Sequence, residues 1–262
     1  FGKFRNKALM QKVLEATAEI THSIDGLFEE NPSHVPTNLP FNLKIELPTK
    51  SFPEEVWLNL TSPLKHQLKS PAVVDFNDSS LIESVNALRW DGFGWWSTNV
   101  DGSGVARVAQ YFGIGITDGA ILGIVGGGGA ARSTARTWQK LGGEVLNLGG
   151  KRDLDNYDWF DSEISSEKRC DVLINFDDDT IPSDVDVTGF VMHANYHVLE
   201  GEHADRVSAI TNQVVDGRWL LSAQHLECWR QLWAPHAANL LPSLDLLVSM
   251  LVTAESVLAS YS

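Results

Sequence analysis

Hydrophobic residues along the chain recur at two spacings, one typical of strands and the other typical of helices. The clearest run is the apolar stretch at 120–125, which ends in four glycines. The pattern predicts strands at 41–47, 56–60, 120–125, 144–148, 171–175 and 189–193, and a loop at 31–40. It predicts helices at 8–20, 102–112, 130–141, 219–229 and 241–258. Because strands alternate with helices, we expect an α/β fold with a parallel sheet.

The composition is that of a folded globular protein, and its charge narrows the choice of partners. The 262 residues are 43% hydrophobic and carry a formal net charge of −14. Such an acidic surface repels a nucleic-acid backbone, so we expect no nucleic-acid partner. An anionic ligand must then be held by local groups, such as the backbone N–H groups at a helix N-terminus or a few Lys and Arg side chains.

The cysteines and the longest apolar stretch bear on the cellular setting. Cys170 and Cys228 are far apart in the sequence and show no metal-ligand spacing, which indicates neither a disulfide framework nor a metal site. The apolar stretch at 241–252 is interrupted by Pro242 and Asp245, so it falls short of a membrane span. We therefore expect a cytoplasmic protein without a membrane segment.

The four glycines lie where a predicted strand gives way to a predicted helix, which is the context of a phosphate-binding turn. Gly126 allows the tight turn, and Gly128 lets the backbone approach a pyrophosphate closely. The first turn of the helix then presents its N–H groups to the anion. The alternative is a sharp strand-to-helix turn without a ligand. The candidate cofactor-binding residues are Gly126, Gly128, Gly129, Ala130, Arg132, Lys151 and Arg152.

The loop after the next predicted strand bears on the choice of cofactor. It reads Gly149-Gly150-Lys151-Arg152, with no acidic residue before Asp153. An acid in this loop would bond the ribose 2′-hydroxyl of NAD, whereas a base would bond the 2′-phosphate of NADP. The two basic residues therefore favour NADP over NAD, unless they are only solvated loop charges.

Two further segments concentrate polar residues beside turns, and together with the glycine loop they resemble a known family. They read Asn59-Leu-Thr-Ser-Pro-Leu-Lys65 and Ser97-Thr-Asn-Val-Asp-Gly-Ser-Gly104. Their order and spacing relative to the glycine loop are similar to those of the shikimate dehydrogenase family. The matching positions are Asn59, Thr61, Pro63, Lys65, Val85, Asn86, Asn99, Asp101, Gly102, Gly104, Gly126, Gly128, Gly129 and Arg132, and later Asp216, Gly217 and Gln224.

This resemblance implies a two-domain α/β enzyme of the shikimate pathway of aromatic amino acid biosynthesis. We expect an α/β substrate-binding domain over 1–101 and a Rossmann-type dinucleotide-binding domain over 102–236. A C-terminal helix in 237–262 is expected to return to the substrate domain. The implied reaction is the reversible, NADP-dependent reduction of 3-dehydroshikimate to shikimate, a small-molecule substrate, by a monomer or homodimer.

The resemblance also assigns roles to the residues of the cleft. Lys65 and Asp101 are the catalytic candidates, because oxidising an alcohol requires a base for the hydroxyl proton and a carboxylate can orient the amine. Thr61, Asn86 and Gln224 are the candidates for binding the substrate's hydroxyl groups, since buried polar groups that lose a partner discriminate strongly.

The chain departs from the family pattern at three places. The family's two N-terminal serines, which hold the substrate carboxylate, are absent from 1–7, where Arg5, Asn6 or Lys7 could replace them. Val100 replaces a threonine, and the family's Asn-x-Thr stretch becomes Asn175-Phe-Asp-Asp-Asp179. The three acids are interpreted as a solvated loop, although near the nicotinamide half of the cofactor they could weaken dinucleotide binding by like-charge repulsion. Two alternatives therefore stay open. One is a dehydrogenase for quinate or another hydroxy acid, with NAD also possible, and the other is a non-catalytic ligand sensor or interaction domain.

Overall fold

The protein is described by a computed structural model that covers residues 56–61, 65, 73–91, 94–160, 168–177, 182–195, 201–212 and 215–259. The predicted helix at 8–20, the loop at 31–40, the strand at 41–47 and the candidate carboxylate-binding residues at 5–7 lie outside these described residues. The described residues contain two four-stranded sheets, one formed by earlier and one by later parts of the chain.

The first sheet is mixed and has the strand order β1-β3-β4-β2. Its strands are β1 (Val56–Asn59), β2 (Val73–Asp75), β3 (Ala87–Trp90) and β4 (Trp95–Thr98). Strand β3 is antiparallel to both β1 and β4, whereas β2 is parallel to β4. Trp90 and Trp95 lie opposite each other in the β3–β4 pair and are both buried, as is typical of tryptophans that fill a core.

The second sheet is parallel throughout and has the order β6-β5-β7-β8. Its strands are β5 (Ile121–Val125), β6 (Glu144–Asn147), β7 (Arg169–Asn175) and β8 (Asp186–His193). All four lie at or within a few residues of predicted strands, and the α/β class with a parallel sheet is confirmed. Because the strands are parallel, the loops after β5, β6 and β7 meet at one edge, where ligands bind in open α/β sheets.

Within the described ranges, five α-helices accompany the sheets: α1 (Asp101–Tyr111), α2 (Gly129–Lys140), α3 (His203–Asn212), α4 (Gly217–Cys228) and α5 (Leu244–Ala259). The sequence pattern predicted α1, α2, α4 and α5 to within three residues and missed α3. Helix α4 continues into a π-helical turn at Trp229–Trp233, and short 3₁₀ turns lie at Ile116–Asp118, Leu154–Asn156 and Pro235–Leu240.

The main hydrophobic core joins the parallel sheet to all five helices. Its largest fully buried side chains include Trp138 of α2 and Trp219 of α4. Val248 and Val252 of α5 belong to this same core, and among the described residues α5 packs on α3 and α4. Its return to the first domain stays a prediction. None of the helices within the described ranges is long and apolar enough to span a bilayer.

The end of α4 and the π-helical turn connect the core of the second sheet to the first sheet. Arg89 on β3 donates from Nη1 to the carbonyl oxygen of Leu232 at 2.9 Å. Trp233 donates from its indole nitrogen to the carbonyl oxygen of Leu88 at 3.2 Å. The chain itself also passes from one sheet to the other where β4 leads directly into α1. Residues on α1 and α4 are therefore held against the first sheet.

Candidate active site

The structure places Lys65 and Asp101 in direct contact. The ammonium nitrogen of Lys65 lies 2.7 Å from Oδ2 of Asp101, although the two residues are 36 positions apart. The Asp101 side chain is only 1% exposed, while that of Lys65 is 19% exposed. A buried carboxylate is costly unless it is paired and hydrogen-bonded, so this contact stabilises the charge of Asp101 in the interior.

The other oxygen of Asp101 is held by two side-chain amides. Oδ1 accepts hydrogen bonds from Asn86 Nδ2 at 2.8 Å and from Gln224 Nε2 at 2.7 Å. Asp101 is also the first residue of α1, where the positive end of the helix dipole favours a negative charge. Four of the five residues predicted for the catalytic and substrate-binding roles therefore meet at one carboxylate.

Two asparagines fix the backbone that carries Asp101. The side-chain oxygen of Asn86 accepts from the N–H of Val100 at 2.9 Å, and that of Asn99 accepts from the N–H of Asp101 at 2.9 Å. Asn99 in turn donates to the hydroxyl of Ser84 at 2.9 Å. These bonds join the chain before β3 to the start of α1. Sequence reasoning quoted Asn99 as part of the motif but gave it no role, and the structure shows it to be a backbone anchor.

The two glycines after Asp101 let neighbouring helices approach α1. A Cβ atom on Gly102 would overlap the carbonyl oxygen of Ser133 on α2. A Cβ atom on Gly104 would lie 2.8 Å from Cγ of Gln224 on α4. The spacing Asp-Gly-x-Gly therefore has a steric cause, because a larger residue at Gly104 would displace the amide that bonds Asp101.

Helix α4, which supplies Gln224, begins at a buried anchor. Asp216 accepts from the N–H of Arg218 at 2.9 Å, and its carboxylate also pairs with the Arg218 guanidinium at 2.5 Å. A Cβ atom on Gly217 would lie 2.9 Å from the carbonyl oxygen of Ala194, just beyond β8. The Asp-Gly pair noticed in the sequence thus fixes the start of the helix seven residues before Gln224.

Thr61 is exposed and lies two residues beyond the end of β1. Its substrate-binding role stays a prediction.

Sequence reasoning missed Cys228 as a neighbour of the site, since a lone cysteine near the end of a helix gives no signal. Asn59 donates to the Cys228 sulfur at 3.7 Å, and burial raises the pKa of this thiol to about 12. The thiol is therefore a packing group and not a nucleophile at neutral pH.

Glu227, next to Cys228, forms a buried ion network that was not predicted. It accepts from Arg107 of α1 at 2.8 Å and from Gln231 at 2.6 Å, and it also pairs with Arg230. Burial by itself raises the pKa of this carboxyl, but the bonds from Arg230, Gln231 and Arg107 outweigh it and hold the pKa below its ordinary value. The network ties α1 to the end of α4 on the side of Gln224.

The glycine loop has the geometry expected for a phosphate-binding turn. Gly126 has φ +113°, which favours glycine, and its N–H donates to the carbonyl oxygen of Gly149 at 2.7 Å. Helix α2 begins at Gly129, and Ala130 lies in its first turn. A Cβ atom on Gly128 would meet nothing closer than the guanidinium of Arg152, at 3.5 Å. An open backbone at a helix N-terminus beside a cation fits a pyrophosphate.

Arg132 is buried, with 3% of its surface exposed, and its guanidinium bonds protein groups. Nε donates to the carbonyl oxygen of Ile82 at 2.6 Å, and the terminal nitrogens donate to Glu83, Gly127 and Tyr157. Burial lowers the pKa of this guanidinium, with Tyr157 and Glu83 opposing the shift. The observed contacts connect α2 and the glycine loop to the stretch that leads to Asn86. A contact with a cofactor stays a prediction.

The side chains of the two basic residues in the loop after β6 make different contacts. Lys151 donates from Nζ to the carbonyl oxygen of Asp177 at 3.0 Å, whereas the side chain of Arg152 lies over Gly128. Asp177, interpreted from the sequence as part of a solvated loop, is half-buried. Its Oδ2 accepts from the N–H of Lys151 at 2.6 Å, beside the glycine loop. Residues 178 and 179 lie outside the described part of the chain.

Comparison with known proteins supports the motif resemblance, although no protein-family model matches the chain. The NADP(+) shikimate dehydrogenase of Methylibium petroleiphilum is 32% identical over 94 residues, covering 36% of this chain and 32% of that protein. The chain thus spans about a third of the length of the curated relative that it matches.

Solved structures extend the likeness to most of the chain. A shikimate dehydrogenase from Aquifex aeolicus superposes with a TM-score of 0.54 at 17% identity, covering 75% of this chain and 76% of that chain. This chain has the shikimate dehydrogenase fold. The shikimate 5-dehydrogenase from Thermus thermophilus, in complex with NADP(H) and shikimate, gives a TM-score of 0.51 at 21% identity over 76% of this chain and 78% of that one. The predicted resemblance to shikimate dehydrogenases is confirmed.

Proposed function

We propose that this protein catalyses the reversible, NADP-dependent reduction of 3-dehydroshikimate to shikimate. The observation that carries the proposal is the 2.7 Å contact between Lys65 and a buried Asp101 whose other oxygen is held by two amides. A purely structural ion pair does not need a partly exposed amine beside a fully satisfied carboxylate. A proton-transfer pair needs both, because the amine must reach the substrate while the carboxylate keeps it in place.

In this reaction Lys65 is the acid and base. During reduction, its ammonium group donates a proton from Nζ to the carbonyl oxygen of the substrate, which becomes the hydroxyl oxygen. During oxidation, the neutral amine takes that proton back. Asp101 orients Nζ by accepting a hydrogen bond from it. The bonds from Asn86 and Gln224 keep its carboxylate satisfied while Lys65 is neutral.

The remaining assignments follow from the same arrangement. Gly126, Gly128, Gly129 and Ala130 would hold the pyrophosphate of the dinucleotide with backbone groups, and Arg152 would supply the adjacent positive charge. The nicotinamide, when bound, supplies the hydride for reduction or accepts it in oxidation. Thr61, Asn86 and Gln224 would meet the substrate's hydroxyl groups. The proposed domain limits are 1–101, 102–236 and 237–262, with the substrate in the cleft between the first two.

The test follows absorbance at 340 nm with purified protein, NADP or NAD, and shikimate or quinate. We expect NADP reduction with shikimate that is lost in Lys65→Ala. The matched control is Lys168→Ala, which removes an exposed lysine that pairs with Asp184 at a distance from the site. Turnover with quinate or NAD alone would keep the chemistry and change the specificity. No turnover with any combination would contradict the proposal and favour a non-catalytic ligand-binding domain.

A further inference from the structure

The carboxylate of Asp177 joins two loops at the carboxyl edge of the parallel sheet. Asp177 follows β7 by two residues, yet its Oδ2 accepts from the N–H of Lys151 in the loop after β6, at 2.6 Å. In return, Lys151 donates from Nζ to the carbonyl oxygen of Asp177 at 3.0 Å. Since β5 lies between β6 and β7, this side chain extends over the end of β5.

Two glycines with positive φ make room for this carboxylate. A Cβ atom on Gly126 would lie 3.0 Å from Oδ1 of Asp177, and a Cβ atom on Gly150 would lie 2.5 Å from Oδ2. Gly126 has φ +113° and Gly150 has φ +147°, conformations that side chains other than glycine rarely adopt. The carboxylate therefore lies between the two glycine turns, in a position that the backbone is shaped to accept.

This position bears on the choice of dinucleotide. In Rossmann-type sites, the loop after the second strand meets the adenosine ribose, and an acid there bonds the 2′-hydroxyl of NAD. Residues 149–152 contain no acid, so the sequence alone favours NADP. The fold supplies an acid to the same loop from β7, on the far side of β5, instead. If this loop held a 2′-phosphate, the carboxylate would oppose it, because like charges repel.

We propose that Asp177 is a specificity-determining residue of the dinucleotide site, which disfavours the 2′-phosphate and thereby lets NAD compete with NADP. The proposal rests on the proposed function, because it requires a dinucleotide at the glycine loop. Arg152 has the opposite effect, since its guanidinium lies 3.5 Å from the Cβ position of Gly128 and attracts phosphate. The amine of Lys151 bonds the Asp177 backbone and contributes less.

The test measures the dissociation constants of NADPH and NADH by calorimetry, with no substrate and no turnover. Asp177→Asn keeps an oxygen that can accept from Lys151 and removes only the charge, while Asp177→Ser removes the charge and shortens the side chain. We expect both variants to bind NADPH about tenfold more tightly and NADH nearly unchanged, because one like charge is removed at short range. The matched control is Asp118→Asn in the 3₁₀ turn before β5, at the opposite edge of the sheet, which should change neither constant.

The other outcomes overturn the role of Asp177 in specificity, and the last of them also overturns the proposed function. Equal changes for NADPH and NADH, or no change for either, would overturn the role of Asp177 in specificity and leave the proposed function standing. A tightening that also occurs in Asp118→Asn would reduce the effect to net charge and overturn the role as well. If neither the wild type nor any variant binds either dinucleotide, both the inference and the proposed function fail.

Discussion

The two functional regions of this protein are built by different means. The carboxylate of Asp101 is held by side chains that lie far apart in the sequence, at positions 65, 86 and 224. At the glycine loop, the proposed cofactor-binding groups belong to the backbone of a few consecutive residues at 126–129. The first region exists only when both sheets and α4 are in place, whereas the second is a local turn between β5 and α2 that the loops after β6 and β7 support.

This difference determines how each region tolerates change. The side-chain region contains a buried charge whose partners must all be present, so losing one partner leaves an unsatisfied group in the interior. The backbone region keeps its shape when a nearby side chain changes, and its affinity is adjusted by the charges of Asp177 and Arg152. Substitutions should therefore abolish function in the first region and modulate it in the second.

Arg132→Ala should have the largest effect on stability, because Arg132 connects the two regions. We expect its loss to lower the free energy of unfolding by about 3 kcal/mol, since the carbonyl groups of Ile82 and Gly127 lose a buried donor and that of Glu83 loses a partly buried one. Urea denaturation measures this loss of stability. Arg132→Lys should restore little of the lost stability, as an ammonium group cannot reproduce the guanidinium fork. Unchanged stability with weakened dinucleotide binding would instead assign Arg132 to the cofactor.

Two neighbouring glycines offer a matched pair within the backbone region. A Cβ atom on Gly127 would lie 2.7 Å from the backbone of Arg152, so Gly127→Ala should destabilise the protein by about 2 kcal/mol. Gly128→Ala should leave thermal stability unchanged, because its Cβ meets only a flexible side chain at 3.5 Å. It should weaken dinucleotide binding by about tenfold, as the methyl group stands where the pyrophosphate approaches. Equal melting temperatures for the two variants would contradict this assignment.

Glu227→Gln tests the buried ion network behind Gln224. We expect a loss of about 1.5 kcal/mol at pH 7, since bonds to a charged acceptor become bonds to a neutral one. The native pKa of Glu227 lies below its ordinary 4.5, so its contribution is complete above pH 4.5 and is lost as pH falls through the native value. The difference between wild type and variant should therefore shrink in acid, as followed by urea denaturation from pH 7 to pH 3. A constant difference over this range would show that the charge is not responsible.

The smallest effect concerns thiol chemistry. Burial raises the pKa of Cys228 to about 12 and that of Cys170 to about 11. Iodoacetamide at pH 8 should therefore label neither cysteine in the native protein and both in urea, with mass spectrometry as the readout. Rapid native labelling of Cys228 would mean that the region around Asn59 opens in solution.

Elements that consist of consecutive residues could be predicted from the sequence. The apolar run at 121–125 followed by glycines identifies β5 and the start of α2, because a strand, a tight turn and a helix each have a recognisable residue pattern over a few positions. Strands β2, β3 and β4 were missed because each has only three or four residues, and β3 and β4 are rich in tryptophan. Helix α3 was missed because its sequence is largely polar and its apolar face is narrow.

The contacts between distant parts of the chain could be predicted only from the family resemblance. Nothing in the spacing of residues 101 and 224 predicts that they meet. The direction of Asp177 could not be predicted either, because it depends on β5 lying between β6 and β7 and on the space that Gly126 and Gly150 leave. Sequence alone therefore favoured NADP, whereas the fold brings a carboxylate to the same loop.

Lys65 is proposed to transfer the proton while Asp101 holds the Lys65 amine in place. The most direct test compares wild type, Lys65→Ala and Lys168→Ala by kcat for shikimate oxidation and by calorimetric Kd for shikimate. We predict that Lys65→Ala lowers kcat on the order of 10³-fold and changes Kd by less than about fivefold, because the lost group acts mainly in the transition state. Lys168→Ala should match the wild type. An unchanged kcat in Lys65→Ala, or a wild type that binds shikimate without oxidising it, would contradict the account.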